Sequence, residues 1–164
     1  MNLLMGLSKM TDNLEELERR MRALESLDAT VGNTKGDQPH PNFDGSYNSL
    51  FWIQHSGSTK ARIPPRPIAS IAMSYKGEDL LRKGLGKYFS NLEKKSNFTA
   101  EDALKPWLKG FYEYSVSMFG DTTVLKSNAQ FTIDKKGGRN TPLIETGALK
   151  DAWGVLINGE RVEL

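Results

Sequence analysis

The side chains able to do chemistry are few and poorly grouped. His40 and His55 are the only imidazoles, and the chain has no cysteine. Without thiols there are no disulfides, thiolate metal sites, Fe–S clusters or cysteine nucleophiles. His40 shares a loop with Asp37 and Asp44, but no His-x-His or His-x-x-x-His spacing accompanies it. Asn42-Phe-Asp-Gly45 has part of a calcium-loop pattern and lacks the distal bidentate acid that such a loop requires. His55 falls in a largely apolar stretch and reads as a packed side chain rather than a base. No Gly-x-Ser-x-Gly elbow is present, and Lys136-Gly-Gly-Arg139 lacks the register of a phosphate-binding loop. The adjacent acids Glu15/Glu16 and Glu78/Asp79 have the pattern of solvated helix faces. The expectation is a protein that is not an enzyme and that uses no metal or cofactor.

Binding has more support. Lys135, Lys136 and Arg139 flank two glycines and could approach a phosphate backbone, each adding a salt-dependent, sequence-independent attraction. The 164 residues carry a net charge of only +2, unevenly distributed. Residues 11–28 hold six acids against three arginines, whereas residues 60–95 hold nine bases against three acids. Opposite faces of two copies could therefore meet, with Glu15, Glu16 and Glu18 on one side and Arg82, Lys83 and Lys87 on the other. At 38% hydrophobic residues the chain can build one core, and its apolar runs fall far short of the ~20 residues needed to span a bilayer. The first seven residues lack the basic start and apolar centre of a signal peptide, so no membrane partner is expected.

These residues are positioned by elements legible in the spacing. Leu3, Leu7, Met10, Leu14, Leu17, Met21 and Leu24 alternate steps of four and three, the seam of an amphipathic helix. Asp12 and Glu15 have capping-box spacing and offer an alternative start for it. Residues 1–28 thus read as a helical arm and 29–164 as one domain. Ala29–Gly32 is β-prone, 34–46 is a polar Gly/Pro loop, Tyr47–His55 reads as a helix, and Ile68–Ser74 as a helical turn or two. A helix is expected over 78–95, burying Leu81, Leu85, Tyr88 and Leu92. A further helix follows the capping box Thr99–Asp102 and buries Leu104, Leu108, Phe111, Ser115 and Met118, with Gly120 as its C-cap. Pro106 either kinks that helix or begins it. A short helix is expected over Ser127–Asp134, and Asn158-Gly159 marks a tight hairpin between Trp153–Ile157 and Glu160–Leu164.

Two stretches are more specific. Ile53-Gln-His-Ser-Gly57 with Ile63-Pro-Pro-Arg-Pro67, and Asn140-Thr-Pro-Leu-Ile-Glu-Thr-Gly-Ala-Leu-Lys-Asp151, stand in one order across residues 29–157. Together they resemble the signatures of tailed-phage tail-completion (head–tail joining) proteins of the lambda protein Z and Mu protein G types. His55-Ser56 replaces that family's acid–aromatic pair, and Ile68 replaces its aromatic after Arg-Pro. The signature positions are Gly57, Ile63, Pro64, Arg66, Pro67, Pro142, Leu143, Ile144, Thr146, Gly147 and Leu149. Their chemistry suits scaffolding. Pro142 directs Leu143 and Ile144 toward a core, Thr146 can cap a helix begun by Gly147, and Arg66 offers a planar fork for carbonyls or carboxylates.

The fold expected is α+β: a small antiparallel sheet with a C-terminal hairpin, packed against two or three helices, plus the N-terminal amphipathic helix. The resemblance implies a structural virion protein of the phage neck or upper tail, assembled in the host cytoplasm. It implies a homo-oligomeric ring, expected to be a hexamer, between head-side connector proteins and the tail terminator or tail tube, with double-stranded DNA passing through. The alternative is a nucleic-acid-binding adaptor using the 82–95 helix and the 135–139 loop. A hydrolase built on His40 or His55 ranks behind both.

Overall fold

The computed structural model describes residues 3–92 and 97–164, with side chains from residue 8 onward. Its organising element is the helix that the Thr99 box starts. The Thr99 hydroxyl accepts from the Asp102 amide at 3.1 Å, and the Asp102 carboxylate accepts from the Thr99 amide at 3.0 Å. Two orphan donors are thereby satisfied reciprocally. The helix, α5 (Ala100–Ser117), carries Pro106 in its interior, where the Asp102 carbonyl loses its amide partner. Gly120 is not its cap. Met118 ends the helix, and Gly120, at φ 85°, donates to the Pro142 carbonyl at 2.9 Å, tying α5 to a distant block.

The other elements are α1 (Leu3–Glu25), β1 (Ala29–Asn33), α2 (Tyr47–Ser56), α3 (Ile68–Ala72) and α4 (Glu78–Phe89) before α5. After it come α6 (Gln130–Lys135), α7 (Ala148–Asp151), β2 (Trp153–Ile157) and β3 (Glu160–Val162). The strands form one antiparallel sheet in the order β1-β2-β3. The fold is α+β, with the C-terminal hairpin that Asn158-Gly159 requires: both residues take positive φ, 51° and 82°. β1 pairs in full with β2, Val31 lying opposite Val155.

The sheet covers one face of α5 through Leu108, Val155 and Ile157. At the far end of α5, Met118 and Phe119 join Tyr47, Ile68, Ala72, Leu125, Leu149 and Trp153 in the largest core cluster. Ser115 is fully buried there. Its hydroxyl donates back to the Tyr112 carbonyl and accepts the Trp153 indole N–H at 2.9 Å, so the one polar pair in this layer is satisfied. α4 lies close on α5, Gly84 against the Ala103 carbonyl.

Several sequence expectations are corrected. α1 is continuous from Leu3, so the Asp12–Glu15 box starts nothing. Its leucine–methionine seam packs only in part. Met10, Leu14 and Met21 are more than half exposed, while Arg20 is buried and Leu24 and Leu27 cover Tyr88, Ala100 and Ala103. Leu3 and Leu7 lie outside the described side chains. α4 ends at Phe89, before Leu92, and residues 93–96 lie outside the described residues. The helix expected over 127–134 begins at Gln130 instead, because Arg66 takes the carbonyls of Lys126 and Ser127 that a helix would use. Thr146 is not the cap of α7. Gly147, at φ 93°, occupies the cap position, and Thr146 accepts from the Ala148 amide at 3.4 Å.

Candidate functional site

The two signature stretches lie some eighty residues apart in the chain and meet across one cleft of about 360 Å³. One wall is the turn that leaves α2. Ser58 and Ile63 pair as an isolated bridge, which puts Arg62 at φ 53° and delivers Ile63, Pro64 and Arg66 to the cleft. Gly57 has a structural reason to be glycine: at φ 76° its Cβ would stand 2.8 Å from the Ile63 carbonyl oxygen. The facing wall is the segment from Leu143 to Leu149, and α6 closes the side with Phe131, Thr132 and Lys136.

Arg66 is the beam between the walls. Its side chain is buried, and its fork donates to the Lys126 and Ser127 carbonyls, the Gln54 amide oxygen and the Asn128 amide oxygen at 2.9–3.1 Å. Burial pushes its guanidinium below the usual arginine range. The expected carbonyl-binding role is met within the chain. Lys136 does the same for the second wall, donating to the Thr141 and Ile144 carbonyls at 3.0 and 2.6 Å. Those bonds clamp the turn in which Leu143 takes a φ of 62°, a conformation costly for a γ-branched residue. Burial lowers the Lys136 ammonium below the ordinary lysine range; Glu145 partly restores it, and Arg66 and Arg139 reinforce the lowering. Pro142 is buried, and Leu143 and Ile144 pack on the main core as expected.

Of the three cations expected to face DNA, Lys136 is half-buried with its ammonium held by two carbonyls. Lys135 and Arg139 are exposed, Lys135 with its ammonium 4.8 Å from the Phe131 ring. The inter-subunit candidates also divide. Glu15 and Glu18 are exposed, Glu18 loosely paired with Arg22 at 3.3 Å. Glu16 is turned inward, its side chain 14% exposed and bound by Arg19 and Arg20 at 2.7 and 2.6 Å. Hydrogen bonds from Arg19 and then Arg20 hold its carboxyl down at about 2. On α4, Arg82 and Lys83 are exposed, and the Lys87 ammonium sits 4.1 Å from the Phe98 ring.

Sequence reasoning missed two features. One is the donor Asn128 Nδ2, which is buried without a partner. The other is a set of exposed apolar side chains, Met73, Leu80 and Tyr114, the last two joined through Tyr75, whose ring stacks on Tyr114 at 5.7 Å and lies with Leu80 against Gly110. Neither has a local signal, since each depends on side chains from separate elements. The histidines are spent on packing: His40 stands edge-on to Tyr47 and accepts from the Asn42 amide, and His55 stacks on Trp52. Among the described residues no three acidic or imidazole side chains gather as a metal ion would need, and no helix is long and apolar enough to cross a membrane. No family model, curated protein or solved structure matches this chain.

Proposed function

We propose that this chain is a structural virion protein of the tailed-phage neck or upper tail, which assembles into a ring between the head-side connector and the tail and lets DNA pass. The observation that carries the reading is the bare seam of α1. Met10, Leu14 and Met21 are 64, 55 and 55% exposed along one helix face. A contiguous apolar stripe of this kind marks an interaction surface. Acids flank it, Glu15, Glu18 and Glu25 all being exposed. Met73, Leu80 and Tyr114 are a second set of exposed apolar side chains, and the exposed charges near them in the sequence are mixed, Lys76, Lys83 and Lys109 with Glu78, Asp79 and Glu113. Two different exposed patches, each meeting the other on the next copy, are what a closed ring of identical subunits requires. The signature resemblance supplies the particle, and the meeting of its two stretches in one cleft fits a scaffold.

The adaptor alternative is weaker, because Lys136 is withdrawn from the loop cations it would use. Mass photometry and negative-stain imaging of the purified chain test the ring. Annular particles are expected for the wild type and their loss for the double variant Leu14→Glu, Met21→Glu. A wild type that is monomeric at every attainable concentration, or rings indifferent to the double replacement, would overturn the proposal.

A further inference from the structure

We infer that the cleft between the two signature stretches is a docking site for an acidic, extended segment of a partner protein: one carboxylate side chain set between aliphatic neighbours. Charge is the first argument. Arg62, Arg66 and Lys136 line the cleft against a single acid, Glu145, which is exposed. Arg66 spends four of its five N–H donors on internal acceptors, and Lys136 two of its three. Arg62 is exposed, and its guanidinium has no hydrogen-bond or ion-pair partner among the described residues.

The second argument is the orphan donor. The Asn128 amide oxygen is held by Arg66 Nη2 at 3.1 Å, so exchanging the oxygen and nitrogen of the amide would set N–H against N–H. Nδ2 therefore stays a donor, and it is buried without an acceptor in a residue that lines the cleft. It is the one such side-chain atom among the described residues and calls for an explanation, and an acceptor brought by a ligand is one. The third argument is backbone. Arg62 and Leu143 are two of only four non-glycine residues with positive φ among the described residues, and both line this cleft. Strain of this kind gathers at binding sites.

Shape selects a peptide over a nucleic acid. Beside His40, Gln54, Thr132 and Thr146 the lining carries four large aliphatic side chains, Leu50, Ile63, Leu143 and Leu149, and the exposed Phe131. A cavity of 360 Å³ is at the small end of ligand sites and takes two or three side chains, whereas a duplex backbone presents nothing that fills an aliphatic recess. The inference is independent of the ring.

The test is a titration of the ¹⁵N-labelled full chain, followed by NMR, with acetyl-Ile-Glu-Leu-amide and its Gln counterpart, inorganic phosphate and a short DNA duplex. The Glu peptide is expected to move the Asn128 side-chain amide signals and the backbone amides of Arg62 and Ile144, with a dissociation constant of about 1 mM or tighter. The Gln peptide is expected to bind about tenfold more weakly. Arg62→Asn, which tolerates the positive φ and lies on the surface, should weaken the Glu peptide about as much at an unchanged melting temperature. Equal shifts from both peptides, no shift at about 10 mM, or a preference of the same signals for phosphate or DNA would each overturn the assignment.

Discussion

Arg20 and Tyr88 hold each other reciprocally across 68 residues of sequence: Arg20 Nη1 donates to the Tyr88 carbonyl, and the Tyr88 hydroxyl donates to the Arg20 carbonyl at 3.1 Å. Arg20 also donates to the Ser90 carbonyl at 2.9 Å, and its guanidinium carbon lies 5.9 Å from the Tyr88 ring centroid. This contact, together with Leu24 packed on the Tyr88 cluster, joins α1 to α4. A cation buried to 1% exposure is tolerable because Glu16 pairs with it and two carbonyls fill its fork.

Removing one partner should be far worse than trimming the other. Arg20→Ala leaves the Tyr88 and Ser90 carbonyls without their donor, Glu16 keeping Arg19, for an expected loss of about 2–4 kcal/mol. Tyr88→Phe deletes a single hydrogen bond, for about 1 kcal/mol. Urea unfolding of both variants checks the ratio, and equal losses would refute the lock.

The same cluster gives a pH signature. The Glu16 carboxyl titrates at about 2 in the fold against 4.5 for an ordinary glutamate. Its stabilising contribution is therefore full above pH 4.5 and is lost as pH falls from 4.5 through about 2. Glu16→Gln should flatten stability across that window while leaving the wild type steeper. Melting temperature against pH measures it.

Two glycines of α4 should respond oppositely to alanine. At Gly84 the new Cβ would meet the Ala103 carbonyl oxygen at 1.9 Å, so α4 and α5 must part, at a cost of about 1–3 kcal/mol or more. At Gly86 nothing lies within 4 Å, and the helix should gain about 0.5–1 kcal/mol. Chemical denaturation separates the two signs.

Arg66→Lys keeps the charge and loses the planar fork. A lysine cannot reach all four of the acceptors on Gln54, Lys126, Ser127 and Asn128 at once, so a loss of about 3 kcal/mol is expected. Hydrogen exchange should rise in residues 126–130 first. Uniform acceleration across the chain, with that segment no faster than α5, would contradict the bracing role.

The local grammar of this chain is legible in its letters. The Thr99–Asp102 box, the Asn158-Gly159 hairpin and the pairing-prone Ala29 segment each depend on neighbours a few residues away, and each stands where its spacing puts it. So does the α+β character, since periodicities of 3.6 and 2 set element type before any packing occurs. What the sequence leaves undecided is which face of an element is covered. The spacing of α1 shows one apolar seam, but the strip that is covered centres on Arg20 and Leu24, where Tyr88 and Glu16 satisfy the charge, leaving Met10, Leu14 and Met21 bare. Likewise Lys136 reads as a surface cation until the Thr141–Ile144 turn supplies two carbonyls that draw its ammonium inward. Desolvation and hydrogen-bond satisfaction are properties of three-dimensional neighbourhoods, so the cleft and both exposed patches belong to the tertiary structure alone.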